Sequence, residues 1–381
     1  MTNQKNRVCH QCFFWVAIAI LVAGAFGIPS VCAQEKSNAD GFKPLFNGKD
    51  LSGWKRVNTA ESTWSVKDGM LICTGKPIGE LRSEKMYQNF IMEVEWRHMK
   101  PRGNAGIFVW ADDITAKGVP FHRSIEVQVL ENAYGNTRGY TTHGDIFPIH
   151  GAKMTPINGR GGSRAFPTEN RSRPTPEWNH YRIECRDGAI SLAVNGKVVT
   201  QGKECNPRKG YICIESEGGI VHYRNMKIKV LPDTPIEKEM IAMADRGFKC
   251  LYDGITFDHW KVSGGWKPND WRINHNSDGE GEMVSRKEYG DASFIVDFRS
   301  GNESFEFNFR GQSFQPSSWA GRLLAKGNGW NRMQADFVDG KLSITINEKS
   351  VGEPVRVEKK SGPVTISVNG KCELANIYIR E

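Results

Sequence analysis

The sequence predicts an all-β protein, two jelly-roll β-sandwiches in tandem. Three observations carry that expectation. Apolar and polar residues alternate with period two, as in Ser124-Ile125-Glu126-Val127-Gln128-Val129. Asp68-Gly69, Asp187-Gly188, Asn195-Gly196, Asp339-Gly340 and Asn369-Gly370 punctuate the runs with the residue pairs that short hairpins need. Finally, the chain carries its own pattern twice. Many short strands, frequent turns and almost no helix specify packed antiparallel sheets.

The chain begins with a segment that belongs to no sandwich. Lys5 and Arg7 precede an uncharged apolar run from Phe13 to Ile28, and Val31-Cys32-Ala33 supplies a small-residue cleavage site. Residues 1–33 therefore read as a secretory signal peptide, too short in its apolar run for the ~20 residues of a membrane span. The expected location is periplasmic or extracellular, with no stable membrane insertion once the signal is removed. Cys9, Cys12 and Cys32 leave with it. Cys73, Cys185, Cys205, Cys213, Cys250 and Cys372 remain, without a CxxC pair or a zinc-finger spacing. Cys185 and Cys213 lie in apolar strands and read as small buried side chains. The formal charge of +8 drops by two with Lys5 and Arg7, and basic and acidic residues are interspersed. Nucleic acid is excluded as the expected partner.

The first sandwich is expected over residues 40–232. It opens with Phe42-Lys43-Pro44-Leu45-Phe46-Asn47-Gly48 and Trp54-Lys55, which recur as Phe248-Lys249-Cys250-Leu251-Tyr252-Asp253-Gly254 and Trp260-Lys261. Trp64-Ser65-Val66 is matched with Trp271-Arg272-Ile273, and Tyr87-Gln88-Asn89 with Tyr289-Gly290-Asp291. Trp178-Asn179 and Val194-Asn195 answer to Trp330-Asn331 and Ile346-Asn347. Residues 233–247 form a linker in which Pro235 to Ala244 reads as a short helix, and 248–381 form the second, degenerate sandwich. The first copy alone carries an insertion, Ala111 to Pro176, with the Glu126 strand and a Gly-, Pro- and His-rich loop. Long loops of this kind are typically functional or disordered.

The chemistry-bearing residues concentrate in that first copy. Strand geometry puts Ile125, Val127 and Val129 on one face and Glu126 with Gln128 on the other. Glu131 joins them only if a bulge shifts the register. On the strand Phe90 to Arg97, Glu93, Glu95 and Arg97 share a face, either as a polar groove or as a solvated sheet surface; Glu93 reads as structural. Asn104-Ala105-Gly106 marks a turn into a strand, with Gly106 allowing close backbone approach. Thr142-His143-Gly144-Asp145 offers a base with an orienting acid or a pair of metal ligands, although a loop histidine can simply be solvated. His122, His150 and His222 carry less weight. Arg160, Arg164, Arg171 and Arg173 are expected to include one substrate-clamping donor. Glu215-Ser216-Glu217-Gly218 sets two acids on one face and forms a second wall for the same groove.

Phe46-Asn47-Gly48-Lys49-Asp50-Leu51-Ser52-Gly53-Trp54 resembles the opening of the 3-keto-disaccharide hydrolase family, also described as 3-keto-glucoside 1,2-lyase/3-keto-2-hydroxy-glucal hydratase. The likeness continues through Tyr87 to Arg97, Asn104-Ala105-Gly106-Ile107-Phe108, Glu126-Val127-Gln128-Val129-Leu130, Glu177-Trp178-Asn179, Val194-Asn195-Gly196 and Tyr223-Arg224-Asn225. It spans the first sandwich, and the second resembles the family only in framework. One departure is visible: Ile214-Glu215 precedes Ser216-Glu217-Gly218 where a Leu-Gln pair is expected. The resemblance implies a concanavalin/laminin-G-like jelly roll and cleavage of 3-keto-glycosides, with a glycoside as partner and no organic cofactor. A C3 ketone acidifies the C2 proton, a base removes it, the C1 substituent leaves, and water adds back. It implies acid–base roles for Glu126 and His143, and substrate contacts from Gln128, Glu95, Arg97, Asn104, Glu215 and Glu217. A divalent metal ion on His143 and Asp145 is compatible with that chemistry.

Two other readings stay open. Glu126-x-Gln128-x-x-Glu131 resembles the Glu-x-Asp-x-x-Glu signature of retaining endoglucanases on the same fold, with Gln128 against it. A non-catalytic carbohydrate-binding protein is the other.

Overall fold

The strand Phe90–His98 shows why this sequence folds as sheet. Phe90, Met92, Val94, Trp96 and His98 are buried while Glu93, Glu95 and Arg97 stay half-exposed, so one face packs and the other is wetted. Each large apolar side chain buried in this way contributes about 1.5–3 kcal/mol relative to exposure. The computed structural model describes residues 40–134, 143–300 and 304–381, all of which belong to one compact unit. The predicted signal peptide lies outside the described residues.

The described chain forms four antiparallel sheets that pair into two sandwiches. In the first, a nine-stranded sheet is centred on Asn179–Arg186, Phe90–His98 and Val221–Val230. Against it packs a six-stranded sheet, in the order Trp54–Val57, Gly79–Ser83, Tyr211–Ser216, Gly106–Ala111, Ser124–Gln128 and Ile146–Ile149. Leu81, Ile107, Val109, Ile125, Val127, Ile212 and Ile214 fill the core between the sheets with Val94, Trp96 and Tyr181. The second sandwich repeats the plan with a nine-stranded sheet around Cys372–Arg380, Ala292–Ser300 and Asn331–Val338, and a five-stranded sheet. Its core is separate and rich in phenylalanine: Phe294, Phe298, Phe305, Phe307, Phe309 and Phe314.

The repeat recurs at the level of single hydrogen bonds. Trp54 Nε1 donates to Leu45 O at 3.2 Å and Trp260 Nε1 to Leu251 O at 2.9 Å. Asn195 Nδ2 donates to Asn179 Oδ1, and Asn347 Nδ2 to Asn331 Oδ1, both at 3.0 Å. One pairing of the repeat is corrected. Trp64 faces Cys73 across its hairpin just as Trp266 faces His275, so the buried counterpart of Trp64 is Trp266 and not Trp271.

The linker is also not the helix that its composition suggests. Pro235 to Ala244 is extended, with a single 3-10 turn at Lys238–Met240. The cause is a competing set of backbone partners. Arg208 N donates to Met240 O and Ala242 N to Lys209 O, both at 2.8 Å, so the segment runs along the edge of the first sandwich.

The segment 113–122, within the insertion of the first copy, docks on the second copy. Gly118 N donates to Asp297 Oδ2 and Arg332 Nη2 to Thr115 O, each at 2.8 Å. Asn376 Nδ2 donates to Ala116 O and Val119 O, and Thr115 Oγ1 meets the Tyr378 hydroxyl at 2.8 Å. Gly118 has φ of +71°, and a Cβ there would stand 2.2 Å from Trp330 Cγ, so glycine is required twice over. By sheet register, Asp297, Arg332 and Asn376 occupy the places that Glu95, His180 and Asn225 hold in the first copy. The face is dry in one sandwich and wet in the other.

Candidate functional site

Three neighbouring strands of the six-stranded sheet build the site, on the face turned away from the core. Glu215 faces Glu80 across one strand pair, Phe108 faces Glu126 across another, and Gly106 faces Gln128. The alternation that sends Ile214, Ile107 and Val127 inward sends Glu215, Gly106, Glu126 and Gln128 to this face. Gly106 makes room for them. A Cβ there would lie 2.9 Å from both Glu126 Oε1 and Glu215 Oε2, so those two oxygens are no more than twice that distance apart. Asn104 bridges to Glu217 at the end of the same strands, and its Nδ2 donates to the Glu217 carboxylate. Gln128 Nε2 donates to Asn104 Oδ1 at 2.7 Å.

Glu126 and Glu215 are buried and Glu217 is half-buried. Burial first, and then the Glu217 carboxylate, push Glu126 well above the usual carboxylate range; burial and then Glu126 do the same to Glu215. Burial also raises Glu217, against hydrogen bonds from Glu215 and Asn104 that favour its charged form. The arrangement therefore holds a proton on Glu215 and turns it toward a Glu217 carboxylate. Glu215 Oε2 has no hydrogen-bond partner. Arg164 brings positive charge to Glu126 while its Nη1 donates to Asp145 Oδ2 at 3.1 Å and its guanidinium lies 3.4 Å over the Phe147 ring.

The structure brings together five of the residues singled out from the sequence: Glu126, Gln128, Asn104, Glu215 and Glu217. It places others elsewhere. Glu95 and Arg97 lie on the outer face of the opposite sheet, where Glu95 accepts from Arg224 and Asn225 and Arg97 stacks 4.5 Å over Trp178. The solvated-surface alternative is the one realised, and Glu93 likewise pairs with Arg182 and Lys227. No bulge delivers Glu131 to the cluster. Burial opposes its charge, yet N–H groups of Arg102, Ala133 and Thr175 converge on the carboxylate and keep it below the usual range.

His143 is buried beside Glu131, Asn132 and Asn170 rather than beside Glu126, and burial lowers its proton affinity. Asp145 is engaged by Arg164. Of the four arginines, Arg171 is spent on Glu169 and on the carbonyls of Val194 and Asn195, and Arg160 stacks on Phe166. Arg164 is the one whose charge acts on Glu126.

Sequence reasoning missed Glu80, and it undervalued His122 and Cys213. All three are fully buried, and one ligating atom from each lies within 4.8 Å of the others, a donor set that could hold a metal ion. The available signal was weak. Glu80 stands in the short strand Gly79–Ser83, which reaches Cys213 and Glu215 only through non-local pairing.

The second copy has no acid at the places of Glu126, Glu215 and Glu217, although Glu280, Glu282 and Glu306 line the same face. Following the same register, Ser313 stands for Glu126, Ser367 for Glu215, Asn369 for Glu217 and Glu306 for Gly106. Glu306 fills the room that Gly106 leaves, accepting from Ser313 Oγ at 2.8 Å and Gln315 Nε2 at 3.0 Å. What remains is an open polar cleft of about 610 Å³ lined by Ser263, Glu282, Ser367 and Asn369 among others.

A jelly roll with a buried acid cluster on one sheet face defines the class. Residues 41–229 match the 3-keto-alpha-glucoside-1,2-lyase-like domain, and the chain belongs to that family through its first sandwich. A 3-keto-disaccharide hydrolase of Bacteroides thetaiotaomicron is 25% identical over 239 residues, covering 51% of this chain and 80% of that protein. Among solved structures, a candidate glycosyl hydrolase from Parabacteroides distasonis has a TM-score of 0.40 at 24% identity, over 51% of this chain and 95% of its own. A Bacillus licheniformis β-glucanase has a TM-score of 0.33 at 13% identity, over 50% of this chain and 97% of its own.

Proposed function

We propose that this protein cleaves 3-keto-glycosides by proton abstraction at C2, elimination at C1 and rehydration. The observation that supports this reading is the Glu126–Glu215–Glu217 cluster, buried, raised toward its protonated form and held around the space above Gly106. Such groups are suited to proton transfer near neutral pH.

In this scheme Glu217, favoured as a carboxylate by Asn104 and Glu215, takes the C2 proton that the C3 ketone has acidified. The C2 electron pair forms the C1–C2 double bond as the C1–O bond breaks, and Glu126 delivers its proton to the departing oxygen. Water then adds at C1 while a proton returns to C2, which leaves the 3-keto monosaccharide. Gln128 and Asn104 bind sugar hydroxyls, and Arg164 stabilises negative charge as it develops. His143, set beside Glu131, takes no part. The secretory leader expected at residues 1–33 supports a reaction outside the cytoplasm.

One observation favours a second reading. The Glu126–Glu215 spacing is compatible with the ~5–5.5 Å of retaining glycosidases. That mechanism requires one of the pair to be an ionised nucleophile, and both are pushed toward the neutral acid.

The test compares a 3-keto-glucoside with its unoxidised parent as substrates for the purified protein. Aglycone should leave the keto sugar alone, and Glu126→Gln should lower kcat by about 10²–10⁴-fold in a folded protein. Hydrolysis of the parent glycoside would instead establish the glycosidase, and turnover of neither would sink both enzymatic readings.

A further inference from the structure

Beside the acid cluster lies a group of side chains that the proposed reaction does not use. Glu80 and Cys213 stand on adjoining strands, with Glu80 paired to Glu215 and Cys213 to Arg82. His122 enters from the segment that docks on the second sandwich. Its backbone N–H donates to Glu80 Oε1 at 2.9 Å, its Nδ1 meets Glu80 Oε2, and the same Nδ1 lies 3.8 Å from Cys213 Sγ.

We propose that Glu80, His122 and Cys213 form a binding site for one borderline-soft divalent cation of the zinc or cobalt type, held by carboxylate, imidazole and thiolate. The donor chemistry comes first. Thiolate with imidazole and a carboxylate selects zinc-like ions over magnesium or calcium, and three protein ligands leave a fourth position open. Charge is the second argument. Glu80, Glu126, Glu215 and Glu217 bring four carboxyl groups to one buried sheet face, and the charges acting on Glu215 come from Glu126, Glu217 and Glu80, all of its own sign. Two guanidiniums offset only part of this: Arg164 acts on Glu126 while holding Asp145, and Arg82, whose partners are the neutral Ser83 O and Tyr211 ring, acts on Cys213. Buried carboxylates in such excess must either keep protons or gain a cation.

Burial keeps the Cys213 thiol neutral in the absence of an ion. Coordination therefore replaces the S–H bond by a metal–sulfur bond and releases one proton to solvent per cation bound. Once in place, the ion would favour the charged form of every neighbouring carboxylate, which ties its occupancy to the protonation of the acid cluster.

The experiment uses the mature protein, stripped with a chelator and titrated with cobalt(II) or zinc(II). One cation per chain is expected, with a thiolate-to-cobalt charge-transfer band in the near ultraviolet. Cys213→Ser should abolish that band. His122→Ala and Glu80→Gln should weaken binding beyond the ~10–100-fold typical of losing a supporting residue. Glu126→Gln should bind cobalt at full stoichiometry, so the result is read independently of turnover. Absence of binding, or a cobalt complex without the thiolate band, overturns the proposal. So does a preference for calcium that is lost in Glu126→Gln, because it would assign the ion to the acids alone. If a ligand variant fails to fold, the zinc X-ray absorption edge of the wild type decides: a sulfur ligand at about 2.3 Å beside nitrogen and oxygen at about 2.0–2.2 Å is expected, and a shell without sulfur counts against the site.

Discussion

Protonation at Glu126 and Glu215 shows what the acid cluster costs the fold. Both carboxyls are held above their ordinary range, burial being the larger cause and like charge the second. An unfolded chain gives up these protons near pH 4.3. Above that value the native state holds more protons than the unfolded one, so stability falls as pH rises through this window and up to the raised folded values. Replacing Glu215 by glutamine removes that penalty. Glu215→Gln should melt a few degrees above the wild type at pH 8, at about 2–4 °C per kcal/mol for a chain of this class, with the difference vanishing near pH 4. Thermal unfolding across that pH range checks it, and a lower melting point at pH 8 would contradict the account.

The 113–122 segment carries the argument at the scale of an element. Its seat is centred on the buried Asp297 carboxylate, which accepts from Arg332 Nε at 2.7 Å and from the Gly118 N–H. Asp297→Asn would leave the Arg332 guanidinium without its counter-charge, and breaking a buried pair from one side typically costs about 3–5 kcal/mol. Denaturant unfolding should show a loss of that size. Hydrogen exchange should show the Gly118 amide, in the first sandwich, losing its protection although the substitution is in the second. Unchanged exchange at Gly118 would mean that the seat does not hold the segment. The register of Glu126 and Gln128 could be read from the sequence because strand alternation is local. The fate of 113–122 and of His143 could not, because each depends on partners far away in the chain: Asp297 and Asn376 for the one, and Asn170 with the Glu131 corner for the other.

Across the whole molecule the two sandwiches have separate cores but share the contact at Val57, Ile114, Ile295 and Tyr378. A chain ending after residue 247 keeps the acid cluster but uncovers Val57 and Ile114 and leaves the N–H of Gly118 without its acceptor. Such a truncation should fold, expose apolar surface measurable by dye binding, and lose activity as the segment leading into the Glu126 strand loosens. Full activity in the truncated chain would show the second copy to be dispensable. The tandem plan was legible because repeated Trp, Asn and turn residues survive in both copies. The loss of the acid cluster from the second was not, since Ser313, Ser367 and Asn369 are recognisable as its counterparts only once the strands are laid in register.

The docking of 113–122 has a further consequence, which follows from covalent connection. A contact between two separate proteins must outweigh the loss of their independent motion, and it dissociates on dilution. Here the tongue and its seat are parts of one polypeptide, so each meets the other at an effective concentration fixed by the chain between them, of the order of millimolar for short flexible connections. A handful of hydrogen bonds too weak to unite two free molecules is then enough to keep the seat filled. The second sandwich is thus a partner already tethered in place, and it holds the segment that brings His122 to the first while having no counterpart of Glu126, Glu215 or Glu217 itself.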